Sequence, residues 1–310
     1  MSEKCKWEYY RYKRYLKIIR EKFFHSDFSS YAGRKLFSKE QGNGLIYELI
    51  MANKPFAAAR FGSVELSVIV NREADKIGKQ ARNTDDELCT NAGFFPNDKQ
   101  LMDEFSRVII QEIQHLDVLG VWNNPWEEYL VDKYMPDTKV IPLVAIEPYI
   151  FEEPWSAALA EKKVLVIHPF EDSILRQYSR HDKLFQNKNI LPDFEIKTIK
   201  AVQTQAGEQD SRFEDWFDAL NYMKEEMSKI DFDVAIIGCG AYGMPLAIHA
   251  KKIGKQAIHM GGATQILFGI KGSRWDNNPI ISGLYNDCWI RPSQQETIKR
   301  KDMIENGCYW

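Results

Sequence analysis

The sequence lacks any run approaching eighteen apolar residues. It also lacks an apolar stretch followed by a small-residue cleavage site near residue 1, so neither a spanning helix nor a secretory leader is expected. Cysteine is scarce. Five residues, at 5, 89, 239, 288 and 308, form no Cys-x-x-Cys pair, and no histidine stands at metal-ligand spacing to them. An odd set without pairing reads as reduced cytosolic thiols. A dominant charge sign is missing too: 41 Lys+Arg stand against 44 Asp+Glu, a net charge of -3. Such a balance gives no general pull toward nucleic acid, and no polyanion partner is expected. No internal repeat or low-complexity tract interrupts the chain.

What is present suits a folded enzyme. Hydrophobic residues at 44% and charged residues at 27% are ordinary for a globular protein with a sizeable core. Eight Trp and fourteen Tyr suit stacking against rings. At 310 residues the chain is about twice the usual single-domain length, so one large domain or two lobes around a cleft are both open.

Residues 1–24 carry eight cations against three carboxylates, a local charge of +5. Tyr12, Tyr15, Leu16, Ile19 and Phe23 recur at helical spacing, which predicts a helix with an aromatic face and a basic face. Such a helix either packs on the body of the protein or docks on an anionic membrane surface, where lipid-linked acceptors would sit. From Pro55 onward, apolar β-rich runs alternate with amphipathic helical runs. Strands are expected at Phe56–Phe61, Val118–Trp122, Val140–Ile146, Val164–His168, Glu195–Ala201, Val234–Ile237 and Gln256–His259. Helices are expected at Leu66–Lys76, Lys99–Leu116, Trp126–Tyr134, Ser173–Phe185, Phe213–Ile230 and Met244–Ile253. Nearly continuous Val/Ile strands such as VLVI and VAII predict an α/β fold with a mostly parallel, Rossmann-like sheet covered on both faces. Pro142, Pro148 and Pro154 crowd the middle, so a lobe boundary is expected near residues 147–162.

Ligands of such sheets sit beyond the carboxyl ends of the strands, which selects the residues to examine. The strand DVAIIG runs into Gly238-Cys239-Gly240-Ala241-Tyr242-Gly243 and then a helix, a Gly-x-Gly-x-x-Gly spacing in strand–turn–helix context. Residues without Cβ let the chain turn sharply and bring backbone N–H groups against phosphate oxygens, with the helix N-terminus adding partial positive charge. The alternative is a tight turn in which the glycines only permit close helix–strand packing. A dinucleotide site would want an acidic residue about twenty positions on, at the end of the next strand. Here that strand ends Ala257-Ile258-His259-Met260-Gly261-Gly262 with no carboxylate, so no NAD is expected. Gly261, Gly262 and Gln265 instead open a second glycine-to-helix junction, and two adjacent junctions suit a diphosphate.

The first strand delivers Arg60, Gly62, Ser63 and Glu65 to its carboxyl end. Arg60 is suited to bidentate phosphate binding, while Glu65 can bind a metal, accept a proton or merely sit on its own helix N-terminus. The strand KVLVI ends in His168-Pro169-Phe170-Glu171-Asp172-Ser173, where His168 or Glu171 is a candidate base and Asp172 or Ser173 a candidate cap. Asn91-Ala92-Gly93 and Trp122-Asn123-Asn124 offer amides beside aromatic faces, or simply turns. Arg274-Trp275-Asp276 can close over a ligand or anchor the tail.

These elements resemble the GT-D class of bacterial glycosyltransferases. The likeness rests on RFGSVE at the first strand, the late strand–Gly-x-Gly–helix and the glycine-x-x-alanine-isoleucine strand after it. It runs from about residue 54 to about 272. In that class an Asp-x-Glu pair is associated with a divalent metal that holds the donor diphosphate. By resemblance Glu65 takes the second acidic position, while Ser63 stands where the class usually has Asp, which puts the Mn or Mg ion in doubt. A second likeness, to proteins of bacterial surface-polysaccharide clusters, lies in VLVIHPFEDSI, LPDFEIKTIKAVQ, GGATQILFGIKGSRW and the closing GCYW.

The resemblance implies an N-terminal helical region over 1–53, a catalytic domain over 54–272 and a tail over 273–310 packed on it. It implies a cytoplasmic transferase, at the inner face of the membrane if residues 1–24 dock there. Such an enzyme moves a sugar from a nucleotide-diphosphate donor to a glycan or lipid-linked glycan acceptor. An NAD(P)-dependent oxidoreductase or epimerase, and a non-catalytic nucleotide-sugar-binding protein, remain the alternatives.

Overall fold

The structure, a computed structural model, describes residues 2–24, 30–208 and 210–310, with side chains of the first helix as far as residue 19. Seven strands make one all-parallel sheet: β1 (Phe56–Arg60), β2 (Val118–Val121), β3 (Lys139–Pro142), β4 (Lys163–His168), β5 (Glu195–Lys200), β6 (Val234–Ile237) and β7 (Gln256–His259). Their spatial order is β3-β2-β1-β7-β6-β4-β5. All seven expected strands are present, and the fold is the Rossmann-like α/β sheet with helices on both faces that the sequence predicts.

Period-2 alternation divides the strands between two apolar layers. Ala57, Ala59, Leu119, Leu165, Ile167, Ala235 and Ile237 face one core. The helices over it are α3 (Ser63–Lys76), α5 (Lys99–Glu112), α8 (Trp216–Lys229) and α9 (Gly243–Lys252). Phe56, Ala58, Val118, Val164, Val166, Ile236 and Ile258 face the other. There they meet α2 (Lys39–Met51), α7 (Glu171–Tyr178) and the C-terminal segment.

Boundaries moved where a backbone group had no ladder partner. β3 stops at Pro142, which has no N–H to donate, and Leu143–Ile146 turns into a 3-10 helix. α7 ends at Tyr178, with a separate 3-10 turn at His181–Lys183. α3 begins at Ser63, three residues earlier than expected, which places Ser63 and Glu65 in its first turn. Three described helices had no range assigned from the sequence: α2, inside the region expected to be helical, α4 (Asp85–Ala92) and the short helix Pro279–Ser282. α2 contains Gly42, Asn43 and Gly44, a weak helical sequence. Packing requires Gly42, because a Cβ there would lie 2.8 Å from Ala145 Cβ.

The N-terminal helix α1 (Glu3–Phe24) lies on α6 (Glu127–Tyr134), but with a different face from the one its pattern suggests. Trp7 (2% exposed) stacks on Trp126 at 4.6 Å, and Lys17 (4%) donates to Glu128 at 2.8 Å. Lys13 also pairs with Glu128, and Arg14 Nε donates to Asn123 O at 3.0 Å. Tyr12 (64%) and Tyr15 (61%) point outward with Leu16. A buried carboxylate that needs cations has thus turned part of the basic face inward. The Phe23 side chain of the predicted stripe lies outside the described residues.

Candidate active site

The carboxyl ends of all seven strands open into one cleft of about 540 Å³, whose lining includes Arg60, Trp122, Leu143, His168, Val202, Gly238 and His259. The C-terminal segment forms a further wall through Arg274, Trp275, Glu305, Tyr309 and Trp310. Trp310 Nε1 donates to Glu296 O at 3.1 Å and its ring meets Phe170 at 5.7 Å, so the last residue is fixed to the body.

Arg60 sits at the end of β1 with its guanidinium 5.0 Å over the Trp122 ring. The Trp122 indole is oriented by donation to Phe61 O at 3.2 Å. Among the described residues Arg60 makes no salt bridge and no side-chain hydrogen bond, so its planar fork of donors is available to an anion.

Gly62 caps α3 in an extended conformation, and a Cβ on it would overlap the Glu65 carboxylate. Only glycine lets Glu65 fold back over the start of its own helix. Burial holds the Glu65 carboxyl above its ordinary range, against the opposing pull of Arg60 and of its own backbone N–H. Ser63, at the first position of α3, is exposed. Glu147, also in the cleft, is raised by burial, with Tyr149 and Arg60 acting the other way.

The two glycine junctions touch. A Cβ on Gly238 would lie 2.6 Å from Gly261 O and 2.6 Å from Thr264 Oγ1. Gly240, at φ +56, presses on Ala92 O, which a Cβ would approach to 2.6 Å. Gly261, at φ +64, lies beside the Arg60 guanidinium, and Gly262 lies under the Tyr309 ring. Gln265 is fully buried; its amide nitrogen donates to Tyr309 O at 3.1 Å, leaving Oε1 without a partner among the described residues. Asn91 Oδ1, on the opposite wall, is likewise unpartnered. Two buried acceptors of this kind suit a ligand rich in hydroxyl groups. The second junction opens only a four-residue helix, Thr264–Leu267, so its contribution is backbone shape rather than a helix dipole.

Two sequence candidates lie elsewhere. Gly243 does not line the cleft; a Cβ there would overlap the His259 ring. Glu171 starts α7 outside the lining set.

The two cleft histidines carry opposite tautomers. Burial lowers both, to about 3, so each is a neutral imidazole. His168 Nδ1 accepts from Phe170 N–H at 3.0 Å, which leaves the hydrogen on Nε2. His259 Nδ1 faces Ile237 O at 3.2 Å and therefore donates, leaving a lone pair on Nε2. His168 is a hydrogen-bond donor and His259 an acceptor. His259 escaped the sequence reading because a strand-end histidine beside glycines carries no spacing signal.

Among the described residues no three His, Cys, Asp or Glu side chains are arranged to hold a metal ion. The donor set at β1 does not fit one: Ser63 is neutral, and Glu65 lies on its helix and next to Arg60. No described helix is long and apolar enough to cross a membrane.

No protein-family profile matches the chain, and no curated protein is similar to it in sequence. Among solved structures it aligns with the domain of unknown function 1792, described as having a distinct glycosyltransferase fold, and with a selenomethionine-substituted form of that domain. The TM-score is 0.47 for both, with 10% and 11% identity, over 86% of this chain and 93% of theirs.

Proposed function

We propose that this protein is a glycosyltransferase that takes a sugar from a nucleotide-diphosphate donor and passes it to a glycan acceptor in surface-polysaccharide or glycoconjugate assembly. The observation that carries this reading is the seven-strand cleft in which two touching glycine turns face the same space as Arg60, which has no ion pair among the described residues. Backbone N–H groups and a guanidinium together suit a diphosphate. Trp122 and the unpartnered acceptors of Asn91 and Gln265 suit the rings and hydroxyls attached to it. In the transfer, the acceptor hydroxyl attacks the anomeric carbon and the bond from that carbon to the diphosphate oxygen breaks. The acceptor proton goes to a cleft carboxylate, Glu65 or Glu147, whose proton affinity is raised by burial. His168 donates a hydrogen bond in this scheme. Catalysis is then mainly positioning and electrostatic support of the leaving group.

Trp122 is partly exposed, and α1, which reaches the neighbouring Asn123 O through Arg14, carries Tyr12, Tyr15 and Leu16 on its exposed face. Docking of that face on a membrane surface belongs to the same proposal and is read by co-sedimentation with anionic vesicles.

The test is thermal stabilisation by a panel of UDP-, GDP- and CMP-sugars and by NAD and NADP, followed by turnover with glycan acceptors. Stabilisation by NAD or NADP alone refutes the transferase. Binding of a nucleotide sugar without transfer to any acceptor identifies a sugar-nucleotide-binding protein.

A further inference from the structure

We infer that the donor diphosphate is held by arginine in place of a divalent cation. The inference rests on the reading above and concerns how that site neutralises its ligand.

Nucleotide diphosphates are usually held through a metal bound by one or two carboxylates, with the phosphates completing the shell. Every carboxylate of this cleft has an arginine for company. Glu65 and Glu147 both feel the Arg60 charge, and Glu305 is ion-paired with Arg274. Burial also raises the proton affinity of Glu65 and Glu147, which works against binding of a hard cation at either carboxylate. Ser63 supplies a neutral hydroxyl on an exposed turn, and the other carboxylate acting on Glu65, that of Glu305, is taken up by Arg274. A dication at this spot would face Arg60 at close range without a set of anionic ligands to hold it.

Arg60 and Arg274 are placed to do its work. Both charges bear on Tyr309, and Arg274 lies 4.9 Å over that ring. The Gly261 backbone runs alongside Arg60, with an ideal Cβ position only 3.5 Å from Nη1. A diphosphate set between the glycine turns therefore meets a planar donor fork from β1 and a second guanidinium from the tail. Arginine offers fixed directional donors where a metal offers point charge, and it works without water exchange or chelation.

The experiment titrates UDP, GDP, ADP and CDP into the full-length protein, by calorimetry or thermal shift, with excess EDTA and again with Mn²⁺. The expected result is that the diphosphate that binds does so with affinities within about twofold of each other under the two conditions. Arg60→Ala weakens that binding roughly 10- to 150-fold, the range for one charge-assisted contact. Arg60→Gln, which keeps the stem over Trp122, serves if the alanine variant does not fold. Ser63→Asp, which restores a carboxylate pair, makes binding respond to Mn²⁺. Binding lost in EDTA and restored by Mn²⁺ in the unmodified protein overturns the inference and leaves the transferase standing. Wild-type affinity in a folded Arg60 variant overturns it as well. Absence of diphosphate binding under both conditions removes the inference and the proposed function together.

Discussion

Replacing Gly243 by alanine separates two roles for the third glycine of the Gly-x-Gly-x-x-Gly run. If it were only a residue in a helix, alanine would stabilise the protein by about 0.5–1 kcal/mol, because glycine loses more backbone freedom on folding. The structure gives the opposite sign. An added methyl would overlap the His259 ring, lying 2.0 Å from Cε1, 2.2 Å from Nδ1 and 2.8 Å from Nε2. The ring cannot retreat freely, since it is 3% exposed and its Nδ1–H is donated to Ile237 O at 3.2 Å. Overpacking of this kind costs about 1–3 kcal/mol, and loss of the hydrogen bond about 0.5–1.5 kcal/mol more. After the propensity gain, net destabilisation is about 1–3 kcal/mol, or roughly 2–10 °C in Tm for a chain of this size. Thermal unfolding of Gly243→Ala, His259→Ala and the double variant closes the cycle. If the ring is the obstacle, most of the alanine penalty disappears in the His259→Ala background, giving a coupling energy of about 1–3 kcal/mol. A Gly243→Ala protein as stable as the parent, or additive behaviour in the cycle, refutes the packing argument.

Glu127 is buried, accepts from Tyr31 Oη at 2.9 Å, and has one oxygen without a partner among the described residues; burial raises it from 4.5 to about 7. The folded state thus binds its proton more tightly than the unfolded chain, so this group's contribution is full below about pH 4.5 and is lost as pH rises through about 7. Glu127→Gln should remove up to about 3 kcal/mol of that loss, seen as a smaller fall in denaturation midpoint between mildly acid and mildly alkaline buffer; equal pH slopes in the two proteins would count against it. Nitrogen chemical shifts at neutral pH should show His168 protonated on Nε2 and His259 on Nδ1, and a pH–rate profile should lack a histidine limb from either. Glu296 is buried and accepts from Ser173 N at 3.0 Å, Ser293 Oγ at 2.8 Å and the Ser173 hydroxyl. Glu296→Ala leaves those donors unpaired, so a stability loss of at least about 2 kcal/mol and faster proteolysis of residues 293–310 are expected; wild-type protease resistance would show that the tail is held without it.

Much of the fold was legible because its signals are local. Runs such as VLVI and VAII commit the chain to buried parallel strands whatever surrounds them, and DVAIIG followed by Gly238 and Gly240 commits it to a sharp turn. Helix α2 was hidden because Gly42 and Gly44 lower helical propensity, and close contact with Ala145 and Ile141 explains Gly42. The N-terminal helix was recognised, but its orientation was not. Tyr12, Tyr15 and Leu16 form the more apolar stripe, and they remain outside because Glu128, 111 positions from Lys17, recruits cations from the other face. A periodicity argument cannot contain a partner that distant.

The same division holds for the site. Strand ends and glycine spacing alone select Arg60, Gly62, Ser63, Glu65, His168, Gly238, Gly240, Gly261, Gly262 and Gln265, all of which line the cleft. Residue type and order along one strand fix which side chains arrive at its carboxyl end, and that is a property of the sequence. Tertiary structure decided what each group can do on arrival. It left Arg60 without an ion pair among the described residues, laid Glu65 over Gly62, gave His168 and His259 opposite tautomers, and brought Arg274 and Tyr309 from the far end of the chain to close the cleft. Charge state, tautomer and vacancy for a ligand depend on neighbours remote in sequence, and only the packed molecule supplies those neighbours.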